Sequence, residues 1–261
     1  MTMSTTAFAA ENPAEVFDRV MEKNNTIQSA EIQSGVHSVI LAKDVIPDGQ
    51  MKVDMAMHAE MDMQDTTDLK YLAQIASSIL GQDSYSQVFY TDGYYYVDTN
   101  GVKLKYPMPL EQIISSVQTG VNTSNMESSY MKGISLNEVN GKRVLAYEAN
   151  PKKLNKNVKE ALGTVMNTLG TDVNLDINNQ EMKGAYVLDD NDYIIYMTNY
   201  IVYNMEVLDQ PMTCITLMET EVQNPGEPVV VTLPSTDGYE DLIGLYLSLI
   251  HISEPTRRSY I

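Results

Sequence analysis

Residues 51–63 read Met-Lys-Val-Asp-Met-Ala-Met-His-Ala-Glu-Met-Asp-Met, and no other stretch constrains the fold as tightly. Every odd position is apolar: Met51, Val53, Met55, Met57, Ala59, Met61 and Met63. The even positions are Lys52, Asp54, His58, Glu60 and Asp62, with Ala56 the exception. Successive side chains of a strand point to opposite faces of its sheet, so this alternation specifies a strand with one buried and one wet face. At ~3.3 Å per residue its length is roughly 43 Å, longer than most strands. Its apolar face is mostly thioether, an unbranched and deformable surface that can repack around partners of different shape.

The neighbouring sequence supplies the rest of a sheet. Asn12-Pro13 is a helix start, with Asn12 as N-cap and Val16, Phe17, Val20 and Met21 on one face of a helix over 13–24. A strand over 28–42 carries Ala30, Ile32, Val36 and Ile40 on one side and joins the methionine strand through Pro47-Asp48-Gly49. Leu69, Leu72, Ile75, Ala76 and Ile79 fall at helical spacing before Gly81, which predicts a helix over 68–80. Asp92-Gly93 and Asn100-Gly101 are hairpin signals that separate strands over 86–91, 94–98 and 102–106.

Pro109 opens a second helix with Leu110, Ile113, Ile114 and Val117 inward, and Asn140-Gly141 makes a hairpin of 134–139 and 142–148. Asn150-Pro151 starts a helix that runs to about Leu169 and stops at Gly170. Strands over 181–188, 193–208 and 212–223 follow, then a short one over 229–233. The strand over 193–208 is apolar on both sides, which places it centrally and covered on both faces. No linker composition interrupts the chain between 11 and 241, so these elements form one α+β domain.

Composition narrows the function. A formal charge of −18 argues against nucleic acid and against anionic headgroups, both of which require clustered cations. Cys214 is the single cysteine, so no disulfide forms within the chain, and its alternating surroundings make it a small core hydrophobe rather than a nucleophile. No segment has the ~18 apolar residues of a membrane-spanning helix. His37 and His58 both fall on the polar faces of strands and read as solvated side chains rather than catalytic bases. No nucleophile elbow, zinc helix, phosphate loop or paired cysteine occurs, and no cofactor or metal is expected. Asp172 to Asn178 starts with calcium-loop spacing, but Ile177 replaces the required glycine and Lys183 the required acid, so it reads as a strand. Asp189 to Asp192 reads as a solvated turn. The tyrosine cluster Tyr85, Tyr90, Tyr94, Tyr95, Tyr96 and Tyr106 offers either a stacking surface for a partner or cross-strand packing.

The succession of an N-terminal helix, two long strands, Tyr-Thr-Asp-Gly-Tyr-Tyr-Tyr-Val-Asp from Tyr90, Lys-Leu-Lys-Tyr-Pro-Met-Pro from Lys103 and Val-Val-Val-Thr-Leu-Pro from Val229 resembles envelope lipoproteins of Gram-positive gut bacteria. These are related in fold to LolA-like lipoprotein carriers and to mycobacterial lipid-carrying lipoproteins. The resemblance spans roughly residues 12–241. It implies a long curved antiparallel sheet, a half-barrel wrapped over about three helices, with an apolar cavity between them. It also implies a non-enzymatic extracytoplasmic protein whose ligand is a lipid-like molecule. Met51, Val53, Met55, Met57, Met61 and Met63 would line that cavity. The rival expectation is an envelope interaction module whose core is filled and whose partner is another envelope protein.

Both ends of the chain depart from the pattern. Ala7-Phe8-Ala9 is a small-residue motif of the kind cut by signal peptidase, so residues 1–10 read as the remnant of an export signal. No cysteine stands near it to carry a lipid anchor. Residues 242–261 follow no earlier pattern, and the last fifteen resemble translated sequencing-adapter DNA, so His251 and the final arginines are expected to have no role.

Overall fold

The computed structural model describes residues 11–42, 46–65, 69–112, 126–155, 178–207 and 210–242. The helix α1 spans Pro13–Asn24, and twelve strands follow: β1 Ser29–Leu41, β2 Gln50–Asp62, β3 Lys70–Ile79, β4 Gln82–Thr91, β5 Tyr94–Thr99, β6 Val102–Pro107, β7 Met131–Val139, β8 Lys142–Ala149, β9 Asn178–Leu188, β10 Ile194–Val207, β11 Gln210–Gln223 and β12 Glu240–Asp241. All twelve belong to one sheet, in the order β12-β6-β5-β4-β3-β2-β1-β11-β10-β9-β8-β7. Two antiparallel meanders, β1 to β6 and β7 to β11, are joined side by side where β1 pairs with β11. The only parallel pair among the described strands is the two-residue β12 on β6. The molecule is therefore dominated by its sheet rather than evenly α+β.

The class shifts toward β chiefly because residues 69–80, within the helix expected over 68–80, are not helical. Residues 70–79 are β3, paired on one side with β2 and on the other with β4. Tyr71, Ala73, Ile75, Ser77 and Ile79 face one way, while Leu72 faces the other and is still buried. The helical spacing arose because apolar residues occur on both faces of a strand that is covered on both faces at this end. What covers Leu72 is the segment after β11. Residues 229–233 are not a strand; they begin a strap over 229–239 that lays Val231 and Tyr239 over Leu72, Phe89 and Tyr96.

The helix α1 starts as its sequence dictates, with the Asn12 side chain accepting from the Ala14 N–H at 3.1 Å and proline at the first position. That cap is worth about 1 kcal/mol. Burial of Val16, Phe17, Val20 and Met21 against β8 to β10 is worth roughly 1.5–3 kcal/mol per side chain, so packing decides the position of the helix. A second core cluster lies further along the same face of the sheet. It is built from Ile27, Ala30, Ile32, Ala59, Met61, Met63, Ala73, Val88 and Tyr90.

Helical turns begin at 110–112 and 151–155, as expected. The rest of the two expected helices, the 172–177 segment, residues 1–10 and the tail from 243 lie outside the described residues. The strand β10 lies inside the sheet between β9 and β11, although Tyr196, Thr198 and Tyr200 on its outward face are only half-buried.

Candidate ligand-binding face

The strand register assembles a continuous apolar surface around β2. Met51 stands opposite Ile40, Met55 lies between Val36 and Ser77, and Met57 lies between Ser34 and Ile75. Val53 lies between Ser38 and Ile79, and the next strand adds Met218 beside Val36 and Cys214 beside Ile40. The same face carries the two core clusters, here called the inner face.

The methionine stripe divides along its length. Ala59, Met61 and Met63 are closed into the core, with Met61 only 1% exposed. Met51, Val53 and Met57 are half-buried, and Met55 is 38% exposed. Ile79, on the adjoining strand, is 44% exposed. Ile75, Ile79 and Met218 are members of this face that the sequence did not place there. The first two were assigned to a helix, and Met218 joins only through the long-range β1–β11 register.

The polar side chains on this surface satisfy one another. Ser34 and Thr220 share a hydrogen bond of 2.9 Å, and so do Ser38 and Thr216. Pairing removes most of the cost of presenting hydroxyls to an apolar neighbour. Cys214 is buried beside Met205, and burial raises its thiol pKa, so it stays a protonated core residue. Burial likewise pushes the adjacent Tyr203 phenol up to about 12.

Over β1 and β2 the opposite, outer face is polar, whereas on β3 to β5 it carries Leu72, Phe89 and Tyr96 beneath the strap. His37 Nδ1 lies 2.7 Å from Asp54 and His58 Nε2 lies 3.1 Å from Glu31, both as cross-strand pairs. Each imidazole is thus engaged by a carboxylate of the neighbouring strand. A shallow depression of about 650 Å³ opens on this face over Gly35, Ala56 and Ala76, between Tyr85 and Tyr196, with Gln33, His58, Gln74 and Glu219 around it. Of the six expected cavity residues only Met57 reaches it.

Among the described residues, no group of three or more His, Cys, Asp or Glu side chains is placed to hold a metal ion. Two of the three acids of the 189–192 turn are engaged within the protein. Asp189 accepts from the Asn191 and Tyr193 N–H groups, and Asp192 from Arg19 and Arg143. The clustered tyrosines are mostly cross-strand packing. Tyr96 stacks on Phe89 at 4.6 Å and Tyr95 meets Tyr106 at 5.5 Å, while Tyr85 remains 45% exposed.

No protein-family model matches the sequence, and no curated protein matches it. Among solved structures the chain is similar to LprF from Mycobacterium bovis, at 10% identity and TM-score 0.37, covering 85% of this chain and 97% of that one. It is also similar to the lipoprotein LppX of Mycobacterium tuberculosis, at 10% identity and TM-score 0.38, covering 85% of this chain and all of that one, 100%. The ywiB protein from Bacillus subtilis is similar at 11% identity and TM-score 0.24, covering 77% of this chain and 96% of that one. Likeness this loose carries no inference about ligand or activity. No described helix is long and apolar enough to cross a membrane.

Proposed function

We propose that the chain is a non-enzymatic, extracytoplasmic binding protein that holds a lipid-like molecule on the inner face of β1 to β3 and β11. One observation carries this reading. The methionine stripe is sealed at the Met61 end yet left half-open from Met51 to Met57, with Met55 and Ile79 substantially exposed. An unbranched thioether surface adapts to alkyl chains of different shape. Covering about 300 Å² of apolar ligand surface would contribute on the order of 7 kcal/mol before the losses of association. The Ala7-Phe8-Ala9 motif supports export. The second reading, an envelope interaction module with a filled core, is favoured by the closed half of the stripe at Ala59, Met61 and Met63.

Native mass spectrometry of the full chain purified without detergent separates the two. The expected result is a lipid adduct, together with binding of an apolar dye that Met55→Asp weakens at least tenfold. Asp in a strand costs about 1 kcal/mol, so a urea titration of the variant checks that it is folded where the dye is tested. A protein that is dry by mass and does not bind the dye overturns the carrier reading, as does dye binding unchanged by Met55→Asp.

A further inference from the structure

Four hairpins of the sheet turn through two residues that both have positive φ: Leu80-Gly81, Asp92-Gly93, Asn100-Gly101 and Asn140-Gly141. Three of them place Asp or Asn first, the side chains that tolerate this left-handed geometry best. The fourth places Leu80 there at φ 53, a conformation that a bulky side chain rarely adopts. Packing does not explain the leucine, because it is 68% exposed. A strained residue that contributes nothing visible to the core points to a contact made outside the molecule.

The surroundings of Leu80 fit one kind of contact. Ile79 beside it is 44% exposed, and Met55 on the neighbouring strand 38%. The turn itself, Ile79-Leu80-Gly81-Gln82, carries no charge, and behind it the acids Asp54 and Asp83 flank Ser78. We infer that this corner is a docking tip that inserts Leu80 and Ile79 into the surface of an uncharged lipid bilayer. A protruding turn with a handful of apolar side chains falls far short of the ~800 Å² per partner of a stable protein interface. An apolar phase needs no complementary pocket to receive it. The acidic chain is repelled by anionic headgroups, so a zwitterionic surface is the one that fits. The inference goes beyond the ligand face, since it concerns where the protein docks and not what it holds.

The native chain has no tryptophan, so Leu80→Trp introduces a single reporter at the tip. With phosphatidylcholine vesicles, its emission is expected to shift to the blue and to be quenched by brominated acyl chains. Val139→Trp, exposed at the opposite end of the sheet, is expected to stay unquenched. Leu80→Asn supplies the residue type that the other turns use, so its Tm is expected to equal or exceed that of the native chain. Its co-flotation with the vesicles is expected to fall at least fivefold. Absence of quenching in Leu80→Trp, co-flotation retained by Leu80→Asn, or a lowered Tm in Leu80→Asn would each overturn the proposal. Dye binding by Leu80→Asn reads the ligand face separately, so failure of docking is distinguishable from failure of ligand binding.

Discussion

Gly184 shows how closely side chains are fitted where α1 meets the sheet. It sits in β9 beside Asn199 and Tyr147, both buried, and the Tyr147 hydroxyl donates to the Asn199 side-chain Oδ1. Burial, reinforced by the neighbouring Tyr186, holds the Tyr147 phenol well above its ordinary pKa, so it remains a donor at any physiological pH. A Cβ on Gly184 would lie 2.5 Å from the Asn199 side-chain oxygen, 2.5 Å from the Thr198 carbonyl and 2.9 Å from the Tyr147 hydroxyl. The Thr198 contact is backbone held in the ladder and cannot swing aside. Gly184→Ala is therefore expected to cost roughly 1–3 kcal/mol of unfolding free energy in a urea titration. Gly133→Ala, where nothing lies within 4 Å, is the comparison and is expected to be near neutral. Equal effects of the two substitutions would show that this crowding does not constrain the fold.

At the scale of elements, α1 is fastened to the sheet by charge as well as by packing. Arg19 and Arg143 both donate to Asp192, at 2.8 and 2.5 Å, and both reach Glu11. Burial pushes the Asp192 pKa up, but the two arginine hydrogen bonds outweigh it and hold the carboxyl below its ordinary value. A carboxyl with a lower pKa when folded contributes stability that is complete above the unfolded pKa and is lost as pH falls through the folded one. Asp192→Asn should thus cost about 1–2 kcal/mol at neutral pH, discounted for the partly exposed arginines. Its deficit should shrink as the pH is lowered through and below the carboxylate range, and a deficit that ignores pH would refute the assignment. The sequence announced α1, the methionine strand and the Asx-Gly hairpins, because cap, alternation and turn chemistry are all local. It misled at β3, where Leu72 is buried by the strap from residues 229–239 and so mimics a helical stripe. The strap itself looked like a strand, since an extended apolar run does not reveal whether its backbone pairs with a neighbour. On the inner face of the sheet, the strand alternation placed the methionines directly. Ile79 and Met218 were hidden by that misreading and by a pairing that only the folded chain brings together.

For the molecule as a whole, the decisive contact is the seam between the two meanders. Every other long pairing joins strands that are neighbours in sequence, whereas Glu31 of β1 pairs with Gln223 of β11, close to the far end of the described chain. No local signal marks such a pair. Turn dipeptides made the hairpins legible, but nothing in the sequence named β11 as the partner of β1. The seam also has a kinetic consequence, because loop-closure entropy must be overcome before a long-range pairing contributes any stabilisation. The hairpins β3–β4, β4–β5, β5–β6 and β7–β8 can form first, with tight turns and little chain to close. Closing β1 on β11 then unites the two halves and completes the inner face, since Val36 and Met218 meet only across that seam. Pulse-labelled hydrogen exchange during refolding is expected to protect amides of β4 to β6 in an early phase and those between β1 and β11 in a later one. The apolar dye should be bound in full only with the later phase. Seam amides that gain protection at the same rate as the β5–β6 hairpin would contradict this order and would place the β1–β11 pairing in the folding nucleus itself.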